Sequence, residues 1–425
     1  MGLCNLYCIS MTKYASTVSQ GVPTRTGLNI TLILCSAAAV LEGFDNQSIG
    51  VAAPRLAVEF GLSEAQKGLI FSAATFGLFL GAALGGRIAD IFGRKRTLVV
   101  SLFLFGALSI LTALAQGPDS LFLTRLLTGL GLGGALPNFI ALSSEAVDPR
   151  KRVSAVTIVM AGMPFGGAIA ALIALGDHWN IGWRSIFYFG GVAPVLLALI
   201  MQRSLPESGS VDARLAADSA AGRPVAVESI SKVLFGSNRA RTTLLLWGAF
   251  FFTQLVLLLM LNWLPSLIVG LGFSRTQASW GSVCFNVCGS LGAIVLGRMH
   301  AGERRRFWVV LTYTGIALAL AAVPAMGGRF FLVAAACGLA GIFIIGAQLV
   351  LFALAPLYYP QANRGTGVGS AVAIGRLGSV VGPLYASILL ATGSSSAAVL
   401  TGIVPFVIIG GGAALALTWR VQTGK

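Results

Sequence analysis

The residues with the most chemistry to offer are two carboxylates three positions apart, in the stretch Glu42-Gly43-Phe44-Asp45. They sit inside an apolar run from Leu28 to about Ala53. An acidic residue at the centre of a membrane helix costs roughly 2.5–3.5 kcal/mol on insertion scales, so such a pair must face a protein interior or a water-filled path rather than lipid. The i, i+3 spacing places both side chains on one helical face. A low-dielectric setting favours the neutral acid unless a cation answers the charge, and two like charges this close discourage double ionisation. The chemistry implied is the binding and release of a proton. Asp45 is the first candidate carrier, and Glu42 is its partner or an orienting group.

Arg125 and Arg376 are the basic residues lying well inside apolar runs. A guanidinium does not give up its charge, so each needs an anion. One use is a forked, charge-assisted pair with a substrate carboxylate. Another is to hold Asp45, and a third is simply to lock helices together. For Arg125 the residues alone leave these open. Arg376 lies in the opposite half of the chain from the carboxylates, as a site shared between halves requires, and substrate or coupling contact is expected of it. Phe44 offers a face on which an aromatic ring can stack. Asn138, with Gln47, Gln254, Asn262, Asn286, Tyr313 and Gln348, offers hydrogen bonds to a ring hydroxyl, although each serves equally well as interhelical glue. Glu145, near Asp148 and Arg150 at the end of its apolar run, is a gating candidate against the basic loops or an ordinary interfacial ion pair.

Other chemistries find little support. Gly129, Gly131 and Gly134 spell a dinucleotide-type glycine pattern, but inside an apolar span, where a packing face is the better reading. Cys284 and Cys288 stand four apart with no further Cys or His beside them, so packing is expected rather than a metal. His178 and His300 fall in loops. No catalytic triad or phosphate loop is present, and neither an enzyme nor a resident cofactor is expected; the proton is the coupling ion.

These groups need a membrane-embedded frame. Of 425 residues, 56% are hydrophobic and 10% charged, with a mean hydropathy of +0.86. A soluble domain is nearer a quarter charged. A span needs about 20 apolar residues, and twelve candidates follow, at about 28–53, 67–87, 97–116, 119–144, 153–176, 184–203, 242–265, 277–298, 307–326, 329–355, 366–391 and 397–419. The fold class expected is all-α and integral to the membrane, with two pseudo-symmetric six-helix bundles. The expected divisions are a tail (1–27), a first bundle (28–203), a central loop (204–241), a second bundle (242–419) and a short tail (420–425). No cleaved leader is expected, and Met11 is an alternative start to Met1.

Lys and Arg set the orientation. With both termini cytoplasmic, the opposite side holds Arg55, Lys67, Arg184, Arg275 and Arg329. Arg125 and Arg376 lie within spans, and every other one of the 29 Lys and Arg residues falls on the cytoplasmic side. This asymmetry accounts for the net charge of +15 without a nucleic-acid partner. The tryptophans cluster near span ends, as an aromatic belt requires. The halves echo each other: Gly86-Arg87 after span 2 corresponds to Gly297-Arg298 after span 8, and Pro149-Arg150 after span 4 to Pro360 to Arg364 after span 10. Repeated halves of this kind place a binding site between them at mid-membrane.

The run from Gly86 to Leu98, with Asp90, Gly93, Arg94 and Lys95, resembles the loop 2–3 signature of the major facilitator superfamily, and Arg125 to Gly133 resembles its span 4 motif. Ile91 stands where that signature has an arginine. The resemblance implies gating by Gly86, Asp90, Gly93 and Arg94 with Glu145 and Arg364, the latch leaning on Arg94 and Lys95. Within the superfamily, Glu42-Gly43-Phe44-Asp45 is similar to the D-G-x-D motif of the aromatic acid:proton symporters, with Glu in place of the first Asp. Leu136-Pro137-Asn138, Asn262-Trp263-Leu264-Pro265 and Gly375-Arg376-Leu377-Gly378 resemble the same family. The 3-(3-hydroxyphenyl)propionate branch is nearest and the 4-hydroxybenzoate branch second.

The resemblance implies a monomeric carrier in a bacterial inner membrane that imports a small aromatic carboxylate with protons. Arg125, Arg376, Phe44 and Asn138 would hold the substrate, and Asp45 and Glu42 the proton. Efflux of small aromatics is the first alternative. The span 5 stretch Ala161 to Gly167 resembles the antiporter glycine-proline motif only loosely, which counts against it. A non-transporting sensor is the second, and there is little room in the chain for a signalling domain.

Overall fold

The computed structural model describes residues 25–148, 152–176, 182–205, 230–236, 239–300, 304–326, 328–359 and 364–422. Among them the secondary structure is helical throughout. The first half of the chain forms α1 (Arg25–Phe60), α2 (Glu64–Phe92), α3 (Arg94–Ala113), α4 (Pro118–Gly133), α5 (Ala135–Glu145), α6 (Arg152–Ala174) and α7 (Arg184–Ser204). A short α8 (Ile230–Phe235) follows, lying in the stretch read from sequence as a loop. The second half forms α9 (Ala240–Gly270), α10 (Arg275–His300), α11 (Arg305–Ala325), α12 (Phe330–Leu354), α13 (Arg364–Ala391), α14 (Ser396–Gly402) and α15 (Val404–Gln422). Ten spans among the described residues are long and apolar enough to cross a membrane. The 36-residue α1 and 29-residue α2, which bear more of the charge, complete the expected twelve.

Local chemistry sets the helix ends. Ser63 caps α2, its hydroxyl accepting from the Gln66 backbone N–H while the Gln66 side chain accepts from that of Ser63. This reciprocal pairing satisfies two otherwise unpaired donors. Gly93 separates α2 from α3 at φ +89°, a left-handed conformation that a side chain would strain. Two expected spans are interrupted. The fourth breaks at Gly134, where the Ser101 hydroxyl lies 2.4 Å from the position a Cβ would occupy. The twelfth breaks at Ile403.

Helices pair within each half through glycine. A Cβ on Gly129 would lie 1.9 Å from the Ala74 carbonyl oxygen, and one on Gly341 1.9 Å from that of Phe285. Such contacts bring backbones together where lipid supplies no hydrophobic drive. Gly129 thus seats α4 against α2, whereas Gly131 and Gly134 of the same pattern face Phe105 and Ser101 of α3.

The buried apolar side chains divide unevenly along the bundle. The end where α1 begins and α15 finishes is here termed proximal, the other distal. At the proximal end there are two separate cores. One joins Leu34, Leu102, Phe105, Phe139 and Met201 of the first half. The other joins Leu246, Phe250, Leu351, Tyr359 and Leu417 of the second. At the distal end a single core runs through both halves, from Ile49, Phe71 and Ala170 to Trp263 and Phe285. Polar and close-packed contacts across the halves agree. Ser72 donates to the Val380 carbonyl, Phe71 meets Trp263 edge-on, and Gly50 seats against the Asn262 backbone. Among the described residues, the two halves share a core distally and keep separate cores proximally.

Candidate functional site

Helix α1 carries Asp45 to the face of α4. There the two terminal nitrogens of Arg125 donate to the carboxylate oxygens of Asp45 at 2.9 and 3.0 Å, and one of them also donates to the Asp45 backbone carbonyl at 3.2 Å. The side chains are 0% and 2% exposed. Arg125 also stands 5.7 Å from the centroid of the Phe187 ring. A charge pair sealed in this way is costly to break, because either partner alone is an uncompensated buried charge.

Glu42 lies one turn earlier, is fully buried, and has no hydrogen-bond partner on either oxygen. The cation acting on it is Arg376 of α13, from the other half, through space rather than through a hydrogen bond. The intervening Gly43 has its own reason. α6 passes so close that a Cβ there would lie 1.9 Å from the Met163 carbonyl oxygen. Phe44 is buried against Phe189, with ring centroids 5.2 Å apart.

Between the halves lies a cavity with ≈ 900 Å³ of empty space, its mouth included. Leu257, Leu258, Leu261, Met163 and Phe352 give it apolar walls, and Asn46, Thr75, Gln254 and Gln348 add polar points. Arg376 is the one charged side chain among the described residues lining it. Its wall also holds Gln47 of α1 and Asn286 of α10, which exchange hydrogen bonds between their side-chain amides at 2.8 and 2.7 Å. Gly167 leaves room for this pair: a Cβ there would lie 1.7 Å from Gln47 Nε2.

The expected site residues therefore separate. Arg376 lines the cavity, whereas Arg125, Phe44 and Asn138 do not. Arg125 is engaged by Asp45. Asn138 donates to the Gly134 carbonyl at 2.7 Å, bracing the break between α4 and α5. Among the gating candidates, Arg94 and Glu145 form an ion pair that ties the start of α3 to the end of α5, and Gly93 is the turn before it. Gly86 and the side chains of Asp90 and Arg364 lie outside those described. Sequence reasoning named Gln47 and Asn286 one at a time and missed that they pair. Their only signal was a polar residue facing inward in each of two apolar spans.

Outside the spans, the distal end of α1 is held by Glu59, which accepts from Trp183 Nε1 at 2.5 Å and pairs with Arg184 at 2.7 Å. The Arg184 hydrogen bond holds the Glu59 carboxyl below the usual carboxylate range.

Residues 35–383 match the model of the Major Facilitator Superfamily. Among proteins of known role, the chain is 41% identical to the 3-(3-hydroxy-phenyl)propionate transporter of Escherichia coli (strain K12), over 92% of this chain and 94% of that one. It is 32% identical to a gallate transporter of Pseudomonas putida, over 86% of each. It is also 32% identical to a 4-hydroxybenzoate transporter of the same species, over 88% of each. Among solved structures, a bacterial homolog of the human lysosomal transporter Spinster, in an inward-facing and occupied conformation, superposes with a TM-score of 0.73 at 17% identity, covering 93% of this chain and 97% of that one. A D-xylose–proton symporter superposes with a TM-score of 0.70 at 18% identity, covering 91% and 96%. Signature, helix order and extent of match agree, and the chain belongs to the major facilitator superfamily.

Proposed function

We propose that the protein is a carrier, not an enzyme, that imports an aromatic carboxylate with protons across a bacterial inner membrane. The substrate is 3-(3-hydroxyphenyl)propionate or a related hydroxylated acid. One observation carries this reading: among the described residues Arg376 is the one charged side chain lining a largely apolar cavity, and the carboxyl of Glu42, on the other half, is fully buried without a hydrogen bond. A monoanion with an apolar body suits such a cavity, and a buried carboxyl beside it suits proton exchange. The role named for the Escherichia coli relative supplies the substrate.

The positive-inside asymmetry places the proximal end, with both termini, in the cytoplasm. The fused distal core and the parted proximal cores then correspond to an inward-open state of a monomer. The two bundles, 28–203 and 242–419, rock about the cavity. Facing outward, Asp45 or Glu42 takes up a proton, with Arg125 released when the proton goes to Asp45, and the substrate carboxylate pairs with Arg376. Facing inward, the proton leaves, Asp45 reclaims Arg125, Glu42 regains the field of Arg376, and the substrate departs. Phe44 and Asn138 seat α1 and the α4–α5 break behind the site, and Arg94 with Glu145 sets the proximal gate. One proton per monoanion moves no net charge. A second would recruit the membrane potential, at about 2.3 kcal/mol per charge per 100 mV.

Uptake of radiolabelled 3-(3-hydroxyphenyl)propionate into proteoliposomes under an inside-alkaline pH gradient tests this. Accumulation above equilibrium that collapses in Arg376→Gln is expected. Uptake indifferent to the gradient would contradict coupling, and no uptake of this acid or of 4-hydroxybenzoate would contradict the substrate class.

A further inference from the structure

Two buried amide side chains on the cavity wall hold polar atoms without a partner. Gln348 of α12 is 5% exposed, and neither its Nε2 nor its Oε1 has a hydrogen-bond partner. Gln254 of α9 is 7% exposed, and its Oε1 has none. Both line the cavity. Gln47 and Asn286 on the same wall differ, since they engage each other. Buried polar atoms are ordinarily paired, and one left unpaired in a wall calls for a ligand group.

Placement argues the same way. Phe352, one turn beyond Gln348 on α12, lines the cavity too, so a ring resting against it lies within one helical turn of the Gln348 amide. Gln254 sits beside the cation: its Cγ is 3.2 Å from where a Cβ on Gly375 would be, and Gly375 immediately precedes Arg376. The wall thus offers one charged point for a carboxylate and, on other helices, free amides.

A phenolic hydroxyl both donates and accepts, and a primary amide matches both roles with its C=O and N–H₂. We propose that Gln348, supported by Gln254, is the subsite that recognises a hydroxyl on the substrate ring and so selects hydroxylated over unsubstituted aromatic acids. This inference rests on the transport reading above. It names the residue that sets specificity within it.

The test compares uptake of 3-(3-hydroxyphenyl)propionate and 3-phenylpropionate by wild type, Gln348→Leu and Gln254→Leu. Wild type should favour the hydroxylated acid by roughly tenfold or more, because a site built to pair a hydroxyl leaves buried groups unpaired without one. Gln348→Leu should lose that preference through a fall in kcat/KM for the hydroxylated acid alone, with Gln254→Leu shifting the same way by less. Retained 3-phenylpropionate uptake shows that the variant is folded. Equal losses for both acids in Gln348→Leu, or no change for either, would overturn the subsite and leave the transport reading standing. A wild type that carries neither acid would overturn the transport reading, and the subsite with it.

Discussion

At the scale of single residues, the sealed Asp45–Arg125 pair dominates. Removing one partner leaves the other charged, buried and alone, at a cost of about 3–5 kcal/mol. Asp45→Asn and Arg125→Gln should each lower the thermal midpoint of the purified carrier. Combining them should restore most of it, since no net charge then stays buried. Additive losses in the double variant would mean that the two groups do not depend on each other. Glu42 should behave differently. Its oxygens have no hydrogen bond to lose, so Glu42→Gln should keep the midpoint near wild type while altering the pH dependence of uptake. The sequence shows that these acids and arginines need partners. It does not show which takes which, because helical spacing specifies a face but not the helix opposite. Asp45 and Arg125 are 80 positions apart, and Gln47 and Asn286 are 239.

At the scale of elements, the distal seam between α1 and α9 depends on the absence of a side chain at Gly50. A Cβ there would lie 2.6 Å from the Asn262 carbonyl oxygen. Gly50→Val should wedge the bundles apart distally and populate the opposite state. Maleimide labelling of a cysteine placed at the cavity wall (Leu349→Cys) from the proximal side should then fall, and unchanged labelling would show that the seam is not part of the gate. Asn286→Ala, which removes the amide exchange with Gln47, should act in the same direction. The end of α1 supplies a pH dependence. Because Arg184 holds the Glu59 carboxyl below its ordinary 4.5, Glu59 contributes stability that is present above that value and lost as pH falls through its lowered one. The midpoint of wild type should exceed that of Glu59→Gln at neutral pH, and the gap should close in acid. A gap constant with pH would assign the contact to packing with Trp183 alone.

At the scale of the whole molecule, one core joins the halves distally and two cores keep them apart proximally. This division gives alternating access a physical form, since the proximal ends must close over the cavity before the distal core can part. The spans were legible in the sequence because a bilayer demands long apolar runs. The breaks at Gly134 and Ile403 were not legible, since hydropathy continues unbroken through both. Neither was the cavity wall. Phe44, Asn138 and Arg125 share composition with a binding site, yet tertiary packing turns them into the bundle, while Arg376, Gln254 and Gln348 line the cavity. In the cycle proposed above, substrate and proton move together through the Asp45–Arg125 switch. Its most direct test follows the lumenal pH of proteoliposomes loaded with a pH-sensitive dye when 3-(3-hydroxyphenyl)propionate is added outside with no imposed gradient. Wild type should acidify the lumen with the same concentration dependence as uptake, and the Asp45→Asn/Arg125→Gln double variant should not. Substrate entry without acidification in wild type, or acidification undiminished in the double variant, would contradict it.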